Sequence, residues 1–532
     1  MEPVAAGTGT VSGQRTALAT VCAVLFLTFL DTTIVSVTLG SVQSDLHAGV
    51  VSLQWVVNAY TLVFASLMLT AGSLGDRWGR KRVMVAGMVV FCVGSVVSAV
   101  AATVAMLIVG RAVMGVGAAA SEPGTLSVIR HVFPDRSERA RALGIWASVS
   151  GLALALGPVV GGILVGTYDW RAVFWFNLAL GVVLLVAAVR FVPESSDPQP
   201  GRLDLAGFVL GSTFLGCVIY AGISGENAGY GAPSIVTLFA VGAVAFVAFI
   251  VVETRSRHPM LDFRYLRPPM VRSALVVAFA VYFGVFSIFF FTALYLEEVY
   301  AYSGLHAAAM FMPMAAAIVV GSIVSGAWVA RSSAAVPMIV GCIVAAVGIL
   351  LTRAALSGDP EFLPLTAALA VAGSGFGVAV VPLTSAVLSG VPSAHSGMAA
   401  AATNTMRQIG AVVGVAALGS LVNAHMTSDL TGRLNELDIP ANFQAIVIDA
   451  IKTGAVPEGG DQAASSAYGP IVDQVIDATY KAFHAGLDTA LLVSAILILV
   501  ATGLTAVAAA RARGTTHGGY DEVVAAGQVR RR

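Results

Sequence analysis

Long apolar runs alternate with short polar segments along nearly the whole chain. Each run holds about 20 residues, the length of α-helix that crosses the hydrocarbon core of a lipid bilayer. Helices rather than strands are expected, because a helix satisfies its backbone hydrogen bonds within itself. The pattern predicts fourteen membrane-spanning helices, at 17–40, 53–72, 83–102, 104–124, 141–164, 172–192, 205–223, 234–253, 273–296, 306–329, 335–355, 362–390, 396–424 and 483–509.

A short spacing pattern occurs twice in the chain. Gly-x4-Arg-x9-Gly begins at Gly72 and again at Gly326, each time where a second predicted span meets a third. Membrane transporters are often built from repeated halves, so we expect two halves of six helices. Six spans counted from each end leave the seventh and eighth as an extra hairpin between the halves.

The predicted fold is therefore an all-α integral membrane protein with two six-helix halves and a two-helix insertion. One long polar segment, 425–482, alternates apolar and acidic residues in a way typical of short amphipathic helices. It is either a cap over the outer mouth or a solvated connector. The other segments are the N-terminal segment 1–16, the first half 17–192, the linker 193–204, the extra hairpin 205–253, the linker 254–272, the second half 273–509 and the C-terminal tail 510–532.

Basic residues are concentrated on one side of the predicted membrane. If the N-terminus is cytoplasmic, 22 of the 29 Lys and Arg residues fall in cytoplasmic segments, as the positive-inside rule requires. The loop from Gly72 to Arg82 alone carries four of them. This asymmetry predicts a multi-pass protein with both termini in the cytoplasm. We expect it in the plasma membrane, or in the inner membrane of a cell that has two membranes.

Composition supports a membrane protein and argues against several other functions. Hydrophobic residues make up 57% of the chain and charged residues only 11%, whereas soluble domains carry about 25% charged residues. The four cysteines lie in apolar runs without the spacing of a metal site, and the sequence has no Walker-type loop. We expect no metal, no cofactor, no nucleic-acid partner and no enzymatic activity, in a monomer surrounded by lipid.

Four motifs occupy the first five predicted spans. They are Leu30-Asp31-Thr32-Thr33-Ile34-Val35 in the first span, Gly72-x-Leu74-x-Asp76-Arg77-x-Gly79-Arg80-Lys81 after the second, Arg111-x-x-x-Gly115-x-Gly117-Ala118 in the fourth and Gly151-x5-Gly157-Pro158-x-x-Gly161-Gly162 in the fifth. These motifs resemble those of the major facilitator superfamily, and specifically of its fourteen-span drug:proton antiporters, which include the quaternary-ammonium exporters. The Gly157-Pro158 motif is similar to that of antiporters in particular.

The resemblance implies the major facilitator fold and the export of hydrophobic, cationic small molecules, including drugs and antibiotics, in exchange for protons. The proton gradient would supply the energy, and the two halves would rock to expose a central cavity to each side in turn. Two other functions fit the same motifs. One is export of a specific metabolite, lipid or natural product. The other is a transport-inactive membrane sensor or scaffold, against which the retained buried charges argue.

Asp31, Arg111 and Glu122 are the candidates for proton coupling, because a charge at the centre of a span costs about 2.5 to 3.5 kcal/mol and marks a functional site by default. Asp31 is either a proton or cation site or a fixed partner of Arg111. The resemblance implicates Arg111 in coupling, through a charge that is never lost. Glu122 follows eleven residues later on the same helix face, within about 20°. It is a second protonation or cation site, or a carboxyl that only bonds a neighbouring helix.

The predicted substrate cavity combines Asp31 and Glu122 with residues of the second half. Asn404, Arg407 and Gln408 form one polar face of the thirteenth span, which either lines the cavity or holds helices together. Aromatic side chains can stack on a flat or cationic drug. The aromatic candidates are Tyr60, Phe286 and Phe290.

The loop after the second span is expected to act as a conformational latch. Asp76 is predicted to bind the start of the eleventh span, 335–355, or Arg141 when the cytoplasmic side is closed, and to let go when that side opens. The predicted latch residues are Gly72, Asp76, Arg77, Gly79, Arg80 and Arg141.

The fifth-span motif is expected to seal the path on one side as the halves rock. A proline in a helix removes a backbone hydrogen bond and kinks the span, and glycines admit a neighbouring helix at close range. The motif residues are Gly151, Gly157, Pro158, Gly161 and Gly162.

Overall fold

The computed structural model describes residues 11–48, 50–196, 204–256, 259–300, 302, 304–357, 361–436 and 469–529. Regular structure in these residues is entirely helical. The long helices are α1 (Val11–Ile34), α2 (Val50–Trp78), α3 (Arg80–Ala99), α4 (Val104–Val132), α5 (Arg136–Thr167), α6 (Arg171–Phe191), α7 (Leu205–Ala228), α8 (Pro233–Arg255), α9 (Pro269–Glu298), α10 (Gly304–Arg331), α11 (Ala335–Ala355), α12 (Phe362–Ser389), α13 (Ser396–Glu436) and α14 (Gly469–Val529). Short helical segments at Val35–Thr38, Leu39–Leu46, Phe263–Leu266 and Ser393–His395 lie in the connections.

Twelve of these helices are long and apolar enough to cross a membrane, when only the described residues are considered. The other two, α5 and α13, include side chains outside that set, so the structure is consistent with the predicted fourteen spans. Apolar side chains also face outward, as at Val244 (69% exposed) and Ile163 (64% exposed). An apolar exterior suits lipid rather than water, and the protein is a multi-pass membrane protein.

Several helices begin where the sequence supplies a capping side chain. Thr103 accepts a hydrogen bond from the Met106 amide at the start of α4. Asp135 accepts from the amides of Ser137 and Glu138 at the start of α5, at 2.9 and 3.0 Å. These amides, that of Glu138 most strongly, hold the pKa of Asp135 below its usual range because they stabilise the charged carboxylate. Such caps satisfy backbone donors that the helix itself cannot.

The two six-helix halves are built alike. The second helix of each half packs against the fifth helix of the other: α2 against α13, and α10 against α5. A Cβ on Gly72 of α2 would overlap Ala401 Cβ, and a Cβ on Gly326 of α10 would lie 3.0 Å from Gly144 Cα. The repeated spacing in the sequence therefore marks equivalent contacts between the halves. We call the surface where the halves meet the seam.

The extra hairpin lies beside the seam. Its helices α7 and α8 pack on each other, and α7 also contacts α2 of the first half and α13 of the second. The hairpin thus adds to the outside of the bundle and leaves the two halves in contact with each other.

Two predicted segment boundaries differ from the structure. α13 continues to Glu436 and α14 begins at Gly469, so both ends of the predicted loop 425–482 are helical. Residues 437–468 lie outside the described part, and the amphipathic helices and cap expected there stay predictions. α14 also continues to Val529 through most of the predicted tail 510–532.

Candidate functional site

Asp31 and Arg111 form a fully buried ion pair inside the first half. Arg111 Nη1 donates to Asp31 Oδ2 at 2.5 Å, and Asn177 Nδ2 on α6 donates to Asp31 Oδ1 at 2.7 Å. Arg111 Nε donates to the carbonyl of Val56 on α2 at 3.0 Å. Because both carboxylate oxygens have donors, the pair holds α1, α2, α4 and α6 together, and breaking it would leave a buried charge uncompensated.

Tyr60 belongs to the same group of residues. Its hydroxyl donates to the Thr28 carbonyl at 2.9 Å, and the Arg111 guanidinium lies 4.5 Å from its ring centroid. Phe64 stacks on it with the ring centroids 5.6 Å apart. The ring is completely buried, so the expectation that Tyr60 lines an open substrate cavity does not match this conformation.

Glu122 lies apart from this pair, on the seam. Its Oε1 accepts a hydrogen bond from Asn404 Nδ2 of the second half at 3.0 Å, whereas its Oε2 has no hydrogen-bond partner among the described residues. The side chain is 1% exposed. Eleven residues along α4 amount to about 16 Å, so the helix face that Glu122 shares with Arg111 does not place the two in one hydrogen-bonded group.

Arg407 on α13 brings a permanent positive charge to the seam. Its Nη1 donates to Asn404 Oδ1 at 3.1 Å and its Nη2 to Thr384 Oγ1 at 2.5 Å. The guanidinium lies 5.4 Å from the ring of Trp146 and 5.3 Å from that of Tyr282, within the range of cation–π attraction. The residue is 3% exposed, and its Nε has no partner in the described part of the chain.

Asn404 therefore links Glu122 to Arg407 with the two ends of one amide. Its nitrogen donates to the carboxylate and its oxygen accepts from the guanidinium. The polar face predicted for the thirteenth span meets the first half through Asn404, with Arg407 behind it, and Gln408 beside them is half-buried.

The aromatic candidates of the second half lie in different surroundings. Phe286 is half-buried and stacks on Tyr282, with the ring centroids 6.2 Å apart, and Tyr282 is one of the rings against Arg407. Phe290 is 38% exposed and meets Phe291 edge to face at 5.1 Å. Of the two, only Phe286 belongs to the group around Arg407.

Asp76 joins the two halves at one end of the seam. Its Oδ1 accepts from the Gly397 amide and its Oδ2 from the Met398 amide, both at 2.9 Å. These amides are at the start of α13, where unpaired N–H groups favour a negative charge. Arg80 Nη2 donates to Asp76 Oδ1 at 2.8 Å. We call Asp76, Arg80 and the first turn of α13 the latch.

The predicted partners of Asp76 were wrong. The start of the thirteenth span binds the carboxylate, not the start of the eleventh. The contact is with the fifth helix of the second half. The two helices of the inserted hairpin make that helix the thirteenth along the chain instead of the eleventh. Arg141 is exposed, and the ion-pair partner is Arg80. Arg80 Nη2 also donates to the carbonyls of Ser393 and Ala394 at 3.0 Å, across the seam.

Glycines allow the latch to close. A Cβ on Gly72 would lie 2.5 Å from the Gly397 carbonyl oxygen, so any side chain there would push α2 away from α13. Gly79 connects α2 to α3 with a φ of 105°, a conformation that glycine adopts without steric cost. Arg77, the remaining predicted latch residue, is half-buried beside them.

Three further arginines cross the seam at the same end of the bundle. Each is on α4 or α5 and reaches the second half near the ends of α10 or α12. The contacts are Arg130 Nη2 to the Val391 carbonyl, Arg136 Nη2 to the Ser332 carbonyl at 3.2 Å and Arg139 Nη2 to Ser389 Oγ at 3.3 Å. We call this end, where Arg80 also lies, the Arg80 face.

The first part of α5 packs across the seam on α10. A Cβ on Gly151 would lie 2.8 Å from Ile318 Cγ2, and Ser148 Oγ donates to the Val319 carbonyl at 3.1 Å. The hydrogen bonds that join the two halves, including the one at Glu122, all lie between the Arg80 face and the middle of the seam among the described residues. The seam is therefore closed on the side of the Arg80 face.

The second part of α5 packs on α1 of its own half instead. A Cβ on Gly157 would overlap Thr33 Oγ1, and one on Gly161 would lie 2.8 Å from a backbone oxygen of α1. A Cβ on Gly162 would meet nothing within 4 Å. The side chain of Pro158 lies outside the described residues, so the kink expected from it stays a prediction.

Sequence reasoning did not place several residues of these groups. Asn177, and Thr384 with its neighbour Ser385, are polar residues within long apolar runs, which is a usable signal because polar groups in lipid need partners. Trp146 and Tyr282 could be recognised only as two of many aromatic residues. Gly144, which opposes Gly326, carries no signal beyond being a glycine in a span.

The second helix of each six-helix half packs on the fifth helix of the other half. Together with the buried charges at the seam and the latch at one end, this arrangement defines a helical membrane transporter. The chain belongs to the Major Facilitator Superfamily, whose family model matches residues 21–415.

Curated relatives and solved structures are consistent with this family. The chain is 32% identical over 441 residues to the multidrug resistance protein Stp of Mycobacterium tuberculosis, covering 82% of each chain. It is 33% identical over 512 residues to the multidrug efflux pump LfrA of Mycolicibacterium smegmatis, covering 94% of this chain and 98% of that one. The crystal structure of the human organic anion transporter MFSD10 matches with a TM-score of 0.58 at 15% identity, covering 92% of this chain and 99% of that one; this likeness concerns the fold alone.

Proposed function

We propose that this protein is a proton-coupled exporter of hydrophobic small molecules, drugs among them, that works by alternating access. Glu122 carries the proposal: it is a buried acid with one unpaired oxygen, and its other oxygen bonds Asn404 across the seam. A proton that binds there acts directly on a contact between the halves. Two relatives, a multidrug resistance protein and a multidrug efflux pump, support drug export.

We assign the Arg80 face to the cytoplasm, and both termini with it, because basic residues accumulate on the side they need not cross. In this orientation the latch and the arginines of that face close the cytoplasmic side. The conformation is then the outward-facing state of the cycle, in the plasma membrane.

Protonation of Glu122 is the step that we expect to drive the change of state. The ionised carboxylate accepts a charge-assisted hydrogen bond from Asn404, which is stronger than a bond to a neutral acid. A proton from outside weakens this bond and favours separation of the halves at the Arg80 face. Glu122 then releases the proton to the cytoplasm and becomes able to accept substrate, and a second proton displaces that substrate after return to the outward state.

Asp31 has a different role in this proposal. Donors occupy both of its oxygens, and Arg111 compensates its charge, so a proton gains little there and substrate has no access to it. We propose that the Asp31–Arg111 pair fixes the packing of the first half and that Glu122 carries the exchanging proton.

The remaining features of the proposal follow from this cycle. The proton gradient supplies the energy, so a cofactor is not required, and moving a substrate without changing its bonds makes the protein a transporter rather than an enzyme. One chain contains both halves, so we expect a monomer. Its partners are protons, small-molecule substrates and the surrounding lipid.

Inverted membrane vesicles test the proposal. Energised vesicles with the wild-type protein should accumulate a fluorescent hydrophobic drug, and a protonophore should abolish the accumulation. Glu122→Gln should reduce the protonophore-sensitive rate at least about tenfold, because the amide cannot exchange a proton. Glu253→Gln is the matched control, since Glu253 is also a buried glutamate, 3% exposed, but lies on α8 of the extra hairpin. Equal rates in wild type, Glu122→Gln and Glu253→Gln would refute the mechanism.

A further inference from the structure

Two buried polar atoms that have no partner among the described residues lie on the same small group at the seam. One is an acceptor, Glu122 Oε2, and the other is a donor, Arg407 Nε. Both side chains are more than nine-tenths buried. A buried polar atom without a hydrogen bond costs about 1 to 3 kcal/mol, so this part of the seam is incomplete without a further group that offers both a donor and an acceptor.

The side chains that carry these two atoms belong to one hydrogen-bonded group. Asn404 connects the two side chains through hydrogen bonds of 3.0 and 3.1 Å at the two ends of its amide. The Thr384 hydroxyl and the rings of Trp146 and Tyr282 hold the guanidinium from its other sides. Glu122 and Arg407 therefore bond the two ends of the same amide, which makes them neighbours that one small molecule can contact together.

Each carboxylate that is deep within the bundle has its own arginine. Asp31 is paired with Arg111 directly, and Glu122 is linked to Arg407 through Asn404. With Glu122 ionised, these four charges sum to zero. A cationic substrate would therefore lose its hydration without meeting a net negative charge, which is unfavourable in a region of low dielectric constant.

We propose that the substrates of this site are uncharged, flat molecules that carry a hydroxyl next to a carbonyl. The hydroxyl donates to Glu122 Oε2 and the carbonyl accepts from Arg407 Nε, so that both unpaired atoms are satisfied. This inference rests on the proposed function and specifies its substrate class. It differs from the expectation of cationic substrates, which followed from the family resemblance and did not pair Glu122 with Arg407.

The same pairing explains how a proton can release an uncharged substrate. Protonation of Glu122 places a hydrogen on the carboxyl group, and the substrate hydroxyl loses the charged acceptor that it bonded. The charged and titratable groups around Glu122 are Arg407 on α13 and Tyr282 on α9. Arg111 lies farther along α4, with Asp31 of α1 and Tyr60 of α2 beside it. Of these, Glu122 is the group whose proton alters a substrate contact.

Equilibrium binding to the purified protein in lipid nanodiscs at pH 7 tests this inference. The probes are 3-hydroxyflavone, which has a hydroxyl next to a carbonyl, flavone, which lacks that hydroxyl, and ethidium, a permanent cation. We expect 3-hydroxyflavone to bind about tenfold more tightly than flavone, the effect of one hydrogen bond to a charged group, and at least about tenfold more tightly than ethidium.

Substitutions of Arg407 should change this order in a specific way. Arg407→Gln leaves Glu122 uncompensated, so ethidium should gain about tenfold in affinity and 3-hydroxyflavone should lose about tenfold. Arg407→Lys keeps the charge and should keep the wild-type order. The control is Arg353→Gln, which removes an arginine paired with Asp488 away from the seam and should leave the order unchanged.

The outcomes separate this inference from the proposed function. Ethidium binding to wild type as tightly as 3-hydroxyflavone would overturn the inference, as would an unchanged order in Arg407→Gln. If Arg407→Gln does not fold, the wild-type and Arg407→Lys affinities decide. Binding is measured without transport, so the two claims can fail separately. If the protein shows the predicted order of affinities but moves no substrate in vesicles, only the proposed function is contradicted. If it transports substrate but does not show that order of affinities, only the inference is contradicted.

Discussion

At the scale of single residues, the number of hydrogen-bond partners distinguishes the two buried acids of the first half. Asp31 has donors on both oxygens and a direct ion pair, whereas Glu122 has one donor and one unpaired oxygen. A carboxylate whose charge is well compensated resists protonation, and one with an open oxygen next to a single amide can gain and lose a proton at lower cost. We therefore propose that Asp31 serves the packing of the first half and that Glu122 serves proton coupling.

Substitution of Asp31 should mainly affect stability. Asp31→Asn leaves Arg111 buried without a counter-charge, and we expect a loss of roughly 3 to 5 kcal/mol in the free energy of unfolding. The double variant Asp31→Asn with Arg111→Met removes both charges and should recover part of the loss. Thermal unfolding of the purified variants in detergent measures this, and a single variant as stable as wild type would show that the pair is not structural.

At the scale of helices, α5 contacts both halves with different parts of its length. Its first part packs on α10 across the seam and its second part on α1 within its own half. Glycines face α1 at Gly157 and Gly161, where a side chain has no room. We infer that α5 keeps its contact with α1 throughout the cycle and changes its contact with α10.

Two glycines of the same motif provide a matched pair for this role. Gly157→Ala introduces a methyl group that overlaps Thr33 Oγ1, so we expect α5 to move away from α1 and stability to fall by about 1 to 3 kcal/mol. Gly162→Ala meets open space and should leave both stability and transport within a factor of about two of wild type. Thermal unfolding and vesicle transport should be measured for both variants, and equal behaviour of the two would disprove the proposed packing role.

The sequence was sufficient for the elements and insufficient for their contacts. Apolar run lengths and the repeated Gly-Arg-Gly spacing predicted the helices and the two halves, because lipid imposes the length of a span and duplication preserves spacing. Spacing along α4 predicted one helix face for Arg111 and Glu122, but it could not show that Arg111 bonds Asp31 and that Glu122 bonds Asn404. Contacts between helices depend on their relative rotation and depth, which is also why the partner of Asp76 was assigned to the wrong helix.

At the scale of the whole molecule, the contacts of the Arg80 face and those of the seam centre act together, because both hold the two halves in contact. The latch and Arg130, Arg136 and Arg139 hold that face closed, while the state of Glu122 sets how strongly the centre is held. Alternating access requires that the free energy of protonation at the centre exceeds the free energy that favours the closed face. This is possible because the two states differ by only a few kcal/mol.

Weakening the latch should shift this equilibrium. Asp76→Asn removes the charge that bonds Arg80 and the start of α13, so we expect the Arg80 face to open and turnover to fall about tenfold, with substrate affinity changed less than threefold. Spin labels at Arg141 and Arg331, both exposed, report the opening as a longer distance between the halves. Asp135→Asn is the control, because asparagine also caps a helix. An equal loss of turnover and affinity in Asp76→Asn would refute the latch.

Proton release on substrate binding tests the central claim most directly. Purified protein in weakly buffered detergent solution is mixed with a transported substrate near the pH at which Glu122 is partly protonated, and the released protons are counted with a pH indicator. We predict release of up to one proton per bound substrate from wild type and Glu253→Gln, and none from Glu122→Gln. Undiminished proton release from folded Glu122→Gln protein that still binds substrate would contradict the account.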